Sequence, residues 1–242
     1  MTLLEVRSVS KRFGGVLALG DVSFDVEEGG MVGVIGPNGA GKTTLFDIIA
    51  GLQRPTSGAV ELNGRVITRL PAYRIAHLGL ARTFQIPRLF GQVSVRENAL
   101  VGALSGARRR GEAEEHADSC LERVGLADRA QARAEQLNLA DRRRLEIARV
   151  LALEPKVVLL DEAMSGLSEL ETNRMMELVR ALNRDGTTFV LVEHVMKIVM
   201  GLCARIVVLD HGSVITAGTP GEVVRDERVI RAYLGSEADV PA

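Results

Sequence analysis

The sequence predicts an α/β fold, and three observations carry that reading. Met31-Val32-Gly33-Val34-Ile35 is a short apolar run of the kind that forms a strand buried on both faces. It leads directly into Gly36-Pro37-Asn38-Gly39-Ala40-Gly41-Lys42-Thr43-Thr44, which fits the pattern G-x-x-x-x-G-K-[ST], and then into an apolar stretch, 45–50, that reads as a buried helix. A second apolar strand pattern, Val157-Val158-Leu159-Leu160, ends in two acids, Asp161 and Glu162, and β/α alternation follows it.

The elements follow in chain order. Residues 3–9 and 16–26 alternate as antiparallel strands do, with a glycine-bearing turn between them. Asn63-Gly64, flanked by apolar alternation over 59–67, signals a hairpin. From about residue 85 to 155 the pattern turns helical. Ser94-Val95-Arg96-Glu97 is a capping box opening a helix toward Leu104. Residues 108–115 read as a polar, charge-rich connection, after which a helix runs to Val124 and is closed by Gly125. A further helix over 142–153 stops before Pro155. Ser168 caps a helix with Glu171, and strands are expected over 187–192, 205–209 and 214–217. Thr219-Pro220-Gly221-Glu222 is another capping box, with proline at its favoured first helical position.

Composition narrows the class. At 242 residues the chain can bury a large core as one domain, here residues 1–84 and 156–242 as the core with its β portion and about 85–155 as an inserted helical portion. Hydrophobic residues are 46% and charged residues 25%, the balance of a soluble globular protein. A net charge of -1 gives no general attraction for nucleic acid. No apolar run approaches the ~20 residues that span a bilayer, and the beginning has no signal-peptide layout. The two cysteines, Cys120 and Cys203, lack metal-ligand spacing and read as reduced core residues in a cytosolic compartment.

The strand, glycine turn and helix start together make an anion hole. Glycines let successive N–H groups point inward, and the helix start adds partial positive charge. Lys42 can reach β/γ-phosphates and the Thr43 hydroxyl can ligate Mg²⁺. Acids at the C-terminal end of a parallel strand lie in the ligand crevice of an open α/β sheet. There Asp161 would hold Mg²⁺ through water, and Glu162 would orient or deprotonate the attacking water.

With these motifs in place the chain resembles the ATPase subunits of ATP-binding cassette (ABC) transporters over nearly its whole length. The resemblance is carried further by residues 81–90, Ala-Arg-Thr-Phe-Gln-Ile-Pro-Arg-Leu-Phe, and 93–98, Val-Ser-Val-Arg-Glu-Asn, which look like that family's glutamine-loop region. Residues 143–149, Glu193-His194 and residues 229–235 resemble the branch that energises branched-chain amino acid uptake. The resemblance implies a RecA-like P-loop core with an antiparallel β subdomain and an inserted helical subdomain. It implies an ATP hydrolase using Mg²⁺, peripheral on the cytoplasmic face of the membrane. Its partners would be a second ATPase subunit, transmembrane permease subunits and, indirectly, a solute-binding protein.

The resemblance also assigns residues. Phe13 would stack on adenine, with Gly36, Pro37, Asn38, Gly39, Ala40, Gly41, Lys42, Thr43 and Thr44 on the phosphates. Gln85 would contact Mg²⁺ or the attacking water, and His194 the γ-phosphate. Ile86, Pro87, Leu89 and Phe90 read either as local core or as a groove for the permease, and residues 165–168 as the loop crossing to a second ATPase subunit.

The chain departs from the family at the signature segment, usually Leu-Ser-Gly-Gly-Gln or Leu-Ser-Tyr-Gly-Gln. Here it reads Leu137-Asn138-Leu139-Ala140-Asp141. Asn138 can still cap a helix and donate to phosphate. The Ala140 methyl stands against close backbone approach, and Asp141 puts a negative charge near an anion unless the arginines at 142–144 offset it. Ala163 replaces the usual proline and Val195 a frequent aspartate. A heterodimer with a cassette of intact signature is favoured over a homodimer. A soluble ABC ATPase of repair or translation would usually carry paired cassettes or long insertions. A nucleotide-binding regulatory module fits the altered signature but not the retained Lys42, Asp161, Glu162 and His194.

Overall fold

In the computed structural model, which describes residues 1–105 and 109–238, five parallel strands and one antiparallel edge strand form the central sheet. The chain begins with strands β1 (Thr2–Phe13) and β2 (Val16–Glu27), which pair antiparallel. β3 (Met31–Ile35) enters the central sheet, and α1 (Lys42–Ile49) follows the glycine loop. β4 (Ser57–Leu62) and β5 (Arg65–Val66) close the hairpin expected from Asn63-Gly64. Both turn residues have positive φ, 50° and 72°, as the hairpin turn requires. These strands join the first two in a separate antiparallel sheet, ordered β2-β1-β4-β5.

α2 (Ala72–His77) and β6 (Leu80–Arg82) precede three packed helices, α3 (Val95–Ala103), α4 (Arg110–Arg123) and α5 (Leu139–Leu151). β7 (Val157–Asp161), α6 (Glu169–Arg184), β8 (Thr188–Val192), α7 (Met196–Leu202), β9 (Arg205–Asp210), β10 (Ser213–Gly218), α8 (Pro220–Arg225) and α9 (Glu227–Ala238) complete the order. The central sheet runs β10-β9-β3-β8-β7-β6.

Alternation along its strands divides the apolar interior in two. Val32, Val34, Leu159, Val190, Val192 and Val207 pack with α1 and the antiparallel sheet. Their neighbours Met31, Ile35, Val158, Leu160, Phe189 and Ile206 pack into a second core with α3 to α7. Successive side chains point to opposite faces, so a strand covered on both sides reads as a continuous apolar run.

Two expectations about the helical region need correction. Residues 110–115 belong to α4 and are not a connection; Arg108 lies outside the described residues. Ala113, Ala117, Cys120 and Leu121 make one buried stripe, and alanines gave it too little hydrophobic contrast among the charges. The next helix starts at Leu139, before the expected position 142, because Asn138 caps it by accepting from the Asp141 N–H at 2.8 Å. The capping boxes at Ser94, Ser168 and Thr219 form as expected.

Candidate functional site

Parallel pairing brings the C-terminal ends of β3, β6, β7 and β8 to one sheet edge. The loop after β3 curls tightly there. Gly36 has φ +154°, and a Cβ on it would lie 2.1 Å from the Leu209 carbonyl oxygen. Gly41, at φ +99°, caps α1; a Cβ there would sit 2.6 Å from Leu19 and 2.7 Å from the Ala18 oxygen. Neither position admits a side chain. Lys42 folds over the loop, its Nζ donating to the Gly36 and Pro37 oxygens at 2.7 and 2.9 Å. Burial pushes the Lys42 pKa down, and the carboxylates of Glu162 and Asp161 oppose that.

Glu162 reaches the same place from β7. It adopts φ +47°, and its N–H donates to the Val192 oxygen of the adjacent strand at 2.9 Å. Its Oε2 accepts from Gln85 Nε2 at 2.8 Å. Residues 38–44, Ala18, Gln85 and Glu162 line one open cavity of about 320 Å³. The donor set suits Mg²⁺: the Thr43 hydroxyl, and the Gln85 carbonyl oxygen, since its amide nitrogen is spent on Glu162.

Asp161 lies beneath this cavity rather than in its wall. Its Oδ2 accepts from Arg82 Nη2 at 2.7 Å, while Arg82 Nη1 meets Asp47 at 2.5 Å. Arg82 and Asp161 are both nearly buried, so this is a fixed bridge between α1, β6 and β7. The Arg82 contact engages one of the two Asp161 carboxylate oxygens. The sequence reading missed Arg82; a lone arginine in a strand pattern was the available signal.

Glu193 was read only as part of a motif. It is 1% exposed, and its Oε1 accepts from the Met164 N–H at 3.0 Å. Among the described residues its Oε2 has no hydrogen-bond partner. Burial pushes its pKa up to about 7; the Met164 N–H and Arg143 act against this, and the Glu162 and Asp161 carboxylates add to it.

The remaining expected residues are not gathered into the cavity. His194 leaves the same sheet edge, one residue after Glu193, and is exposed outside the lining. Phe13 ends β1 with its ring 46% exposed and Lys11 Nζ 4.7 Å from its centroid. The segment Leu137, Asn138, Leu139, Ala140, Asp141 stands apart at the start of α5, touching the loop after Glu162: a Cβ on Gly166 would be 3.2 Å from Leu139. Ala140 is 5% exposed. Arg144 attends Asp141, at 3.5 Å. Arg142 donates to the Leu137 and Glu135 oxygens, and Arg143 is buried on the Phe84 oxygen. The arginine cluster is therefore not a plain solvated face.

Behind the cavity a groove of about 270 Å³ lies between Phe84, Arg88, Val101, Arg149 and Leu153, and Arg82 forms part of its wall. The adjoining loop divides the apolar set. Leu89 packs on the helical core, whereas Ile86 is 79% and Phe90 50% exposed.

A family model described as ABC transporter matches residues 19–165, more than half of the chain. The chain belongs to the ABC transporter family. A model described as branched-chain amino acid ATP-binding cassette transporter matches residues 213–239, which take in β10, α8 and α9. The high-affinity branched-chain amino acid transport ATP-binding protein LivG of Salmonella typhimurium is 43% identical, over 96% of this chain and 98% of LivG. A nucleotide-free ATP-binding cassette from an ABC transporter matches with TM-score 0.89 at 28% identity, over 96% of this chain and 99% of that one. A dimeric post-hydrolysis cassette bound to ADP and Pi matches with TM-score 0.81 at 27% identity, over 90% of this chain and 99% of that one. ATP hydrolysis coupled to transport is the activity of this family, whose cassettes dimerise and work with permease components. Among the described residues of this ABC cassette no helix is long and apolar enough to cross a membrane.

Proposed function

We propose that this ABC cassette is the ATP-hydrolysing subunit of an importer for branched-chain or other hydrophobic amino acids. One observation carries the chemistry: Lys42, Thr43, Gln85 and Glu162 share the wall of one cavity at the strand ends. The likeness to LivG along nearly the whole chain supports the solute class.

The cavity supports the following division of roles. Phe13 offers its ring to adenine. Backbone N–H groups of the loop Gly36 to Thr44 and the Lys42 ammonium take the phosphates. Lys42 already lies over the loop, held by two carbonyl oxygens that phosphate oxygens would replace. Mg²⁺, when bound, spreads the charge of the β- and γ-phosphates. Thr43 and the Gln85 oxygen hold it, with Asp161 acting through water. Glu162 takes the proton of the attacking water while Gln85 fixes its carboxylate. His194, on the same edge, positions that water against the γ-phosphate.

Two cassettes complete the sites. Leu137, Asn138, Leu139, Ala140 and Asp141 of each would face the other's P-loop, with residues 165–168 crossing between them. A heterodimer is favoured, because Asp141 opposes an anion at this segment. The groove beside Phe84 takes the permease, with Ile86 and Phe90 on its rim. The cassette thus works on the cytoplasmic face of the membrane, meets the solute-binding protein only indirectly, and binds no nucleic acid.

The test is steady-state ATPase of the chain alone and with the permease and cassette subunits encoded beside it, together with ATP-driven uptake of leucine, isoleucine and valine into vesicles. Stimulation by the partners with uptake is expected. ATPase indifferent to the partners, with no uptake of any of the three, contradicts the proposal.

A further inference from the structure

The turn that aims Glu162 is unusual in this chain. Glu162 sits at φ +47°, a left-handed conformation that a side-chain-bearing residue adopts only under strain. The surrounding structure must hold such a residue in place. On one side the hold is visible: the Glu162 N–H donates to the Val192 oxygen of β8, and the Ser165 N–H closes the turn on the Glu162 oxygen at 3.1 Å. On the other side the chain continues through Ala163 and Met164, both buried. There the Met164 N–H has the Glu193 carboxylate as its acceptor.

We propose that Glu193 is a positioning residue: its buried Oε1 clamps the turn after Glu162 to the end of β8, fixing the aim of Glu162 and the exit of His194 together. The clamp rests on the function proposed above. Val192 and Glu193 are consecutive, so one short stretch of β8 holds the turn at both ends, through a backbone oxygen at 2.9 Å and a carboxylate oxygen at 3.0 Å. His194 is the next residue. A shift of the turn would therefore move the base and the histidine relative to the P-loop, which leaves the end of β3. A solvated hydrogen bond could not do this. Glu193 is 1% exposed, so water does not compete for the Met164 N–H. A carboxyl pushed up to about 7 is also close to the neutral state that glutamine copies.

Four measurements test the clamp in the transporter assembled with its permease and second cassette: kcat, KM for ATP, ATP affinity in a direct binding assay, and the thermal midpoint as a check on folding. Glu193→Met removes the acceptor at nearly constant volume, and Glu193→Ala serves the same purpose if the methionine variant does not fold. Misplacing a catalytic group by about 1 Å costs up to ~100-fold, so kcat should fall about 10- to 100-fold. KM and ATP affinity should stay within about twofold, since the P-loop is untouched. Glu193→Gln keeps the acceptor oxygen and should restore kcat to within about threefold of the wild type. Wild-type kcat in the acceptor-less variant overturns the clamp. So does a glutamine variant as impaired as the methionine one, or a loss carried by KM and affinity. A wild-type transporter that binds ATP without turning it over fails the proposed function itself; a failure of the clamp alone leaves wild-type turnover intact.

Discussion

Lys42 shows how the site is poised at the level of single residues. It is buried enough for its pKa to be pushed down, yet it remains a donor to two carbonyl oxygens of its own loop. Losing its charge-assisted contact to phosphate costs about 1.5–3 kcal/mol. Lys42→Ala should therefore weaken ATP binding roughly ten- to a hundredfold. Equilibrium binding of ATP to the folded variant is the measurement, and unchanged affinity would remove Lys42 from the phosphate site. The residues nearest in sequence were the most legible. Gly36 to Thr44, Asp161 and Glu162 stand in contiguous motifs whose spacing is itself the chemistry. Arg82 was hidden because its carboxylate partners lie 35 and 79 positions away. No local pattern announces a contact of that separation. Glu193 was visible as a neighbour of His194, but its bond to Met164, 29 positions back, depends on β7 and β8 being paired.

Among the elements, β6 makes the most consequential contact for its length. It has three residues, and the last places Arg82 between α1 and β7. Removing one member of a buried ion pair leaves the other uncompensated, at a cost of about 3–5 kcal/mol. Arg82→Met should lower folding stability by about that amount, less what water restores to the half-open Asp47. Chemical denaturation with an unchanged slope would register it. A midpoint equal to the wild type's would show that the bridge contributes nothing. Strands of the central sheet were legible because burial on both faces makes them continuous apolar runs. α4 was partly lost for the opposite reason: its buried stripe is largely alanine, and its outer face is charged. The start of α5 falls three residues before the expected one because the asparagine, read as a possible cap, does cap the helix.

At the scale of the whole molecule, parallel pairing brings loops from distant parts of the chain to one edge, and this converts separate motifs into a site. Lys42, Gln85 and Glu162 meet because β3, β6, β7 and β8 all end there. The helical layer then carries Asn138 and Asp141 away from that edge, toward a second cassette in the proposed assembly. Paired with a cassette of intact signature, the chain would form two unequal sites. Its own P-loop, Glu162 and His194 would face the better segment, and Asp141 would face the partner's nucleotide with Arg144 beside it. The most direct test is Glu162→Gln in the assembled transporter, with steady-state ATPase and retained ATP measured together, and the matching change made separately in the partner. Glu162→Gln should cut hydrolysis about 10²–10⁴-fold while ATP stays bound, and the partner's change should cost less. Turnover at the wild-type rate in Glu162→Gln would contradict the central claim that this carboxylate is the base.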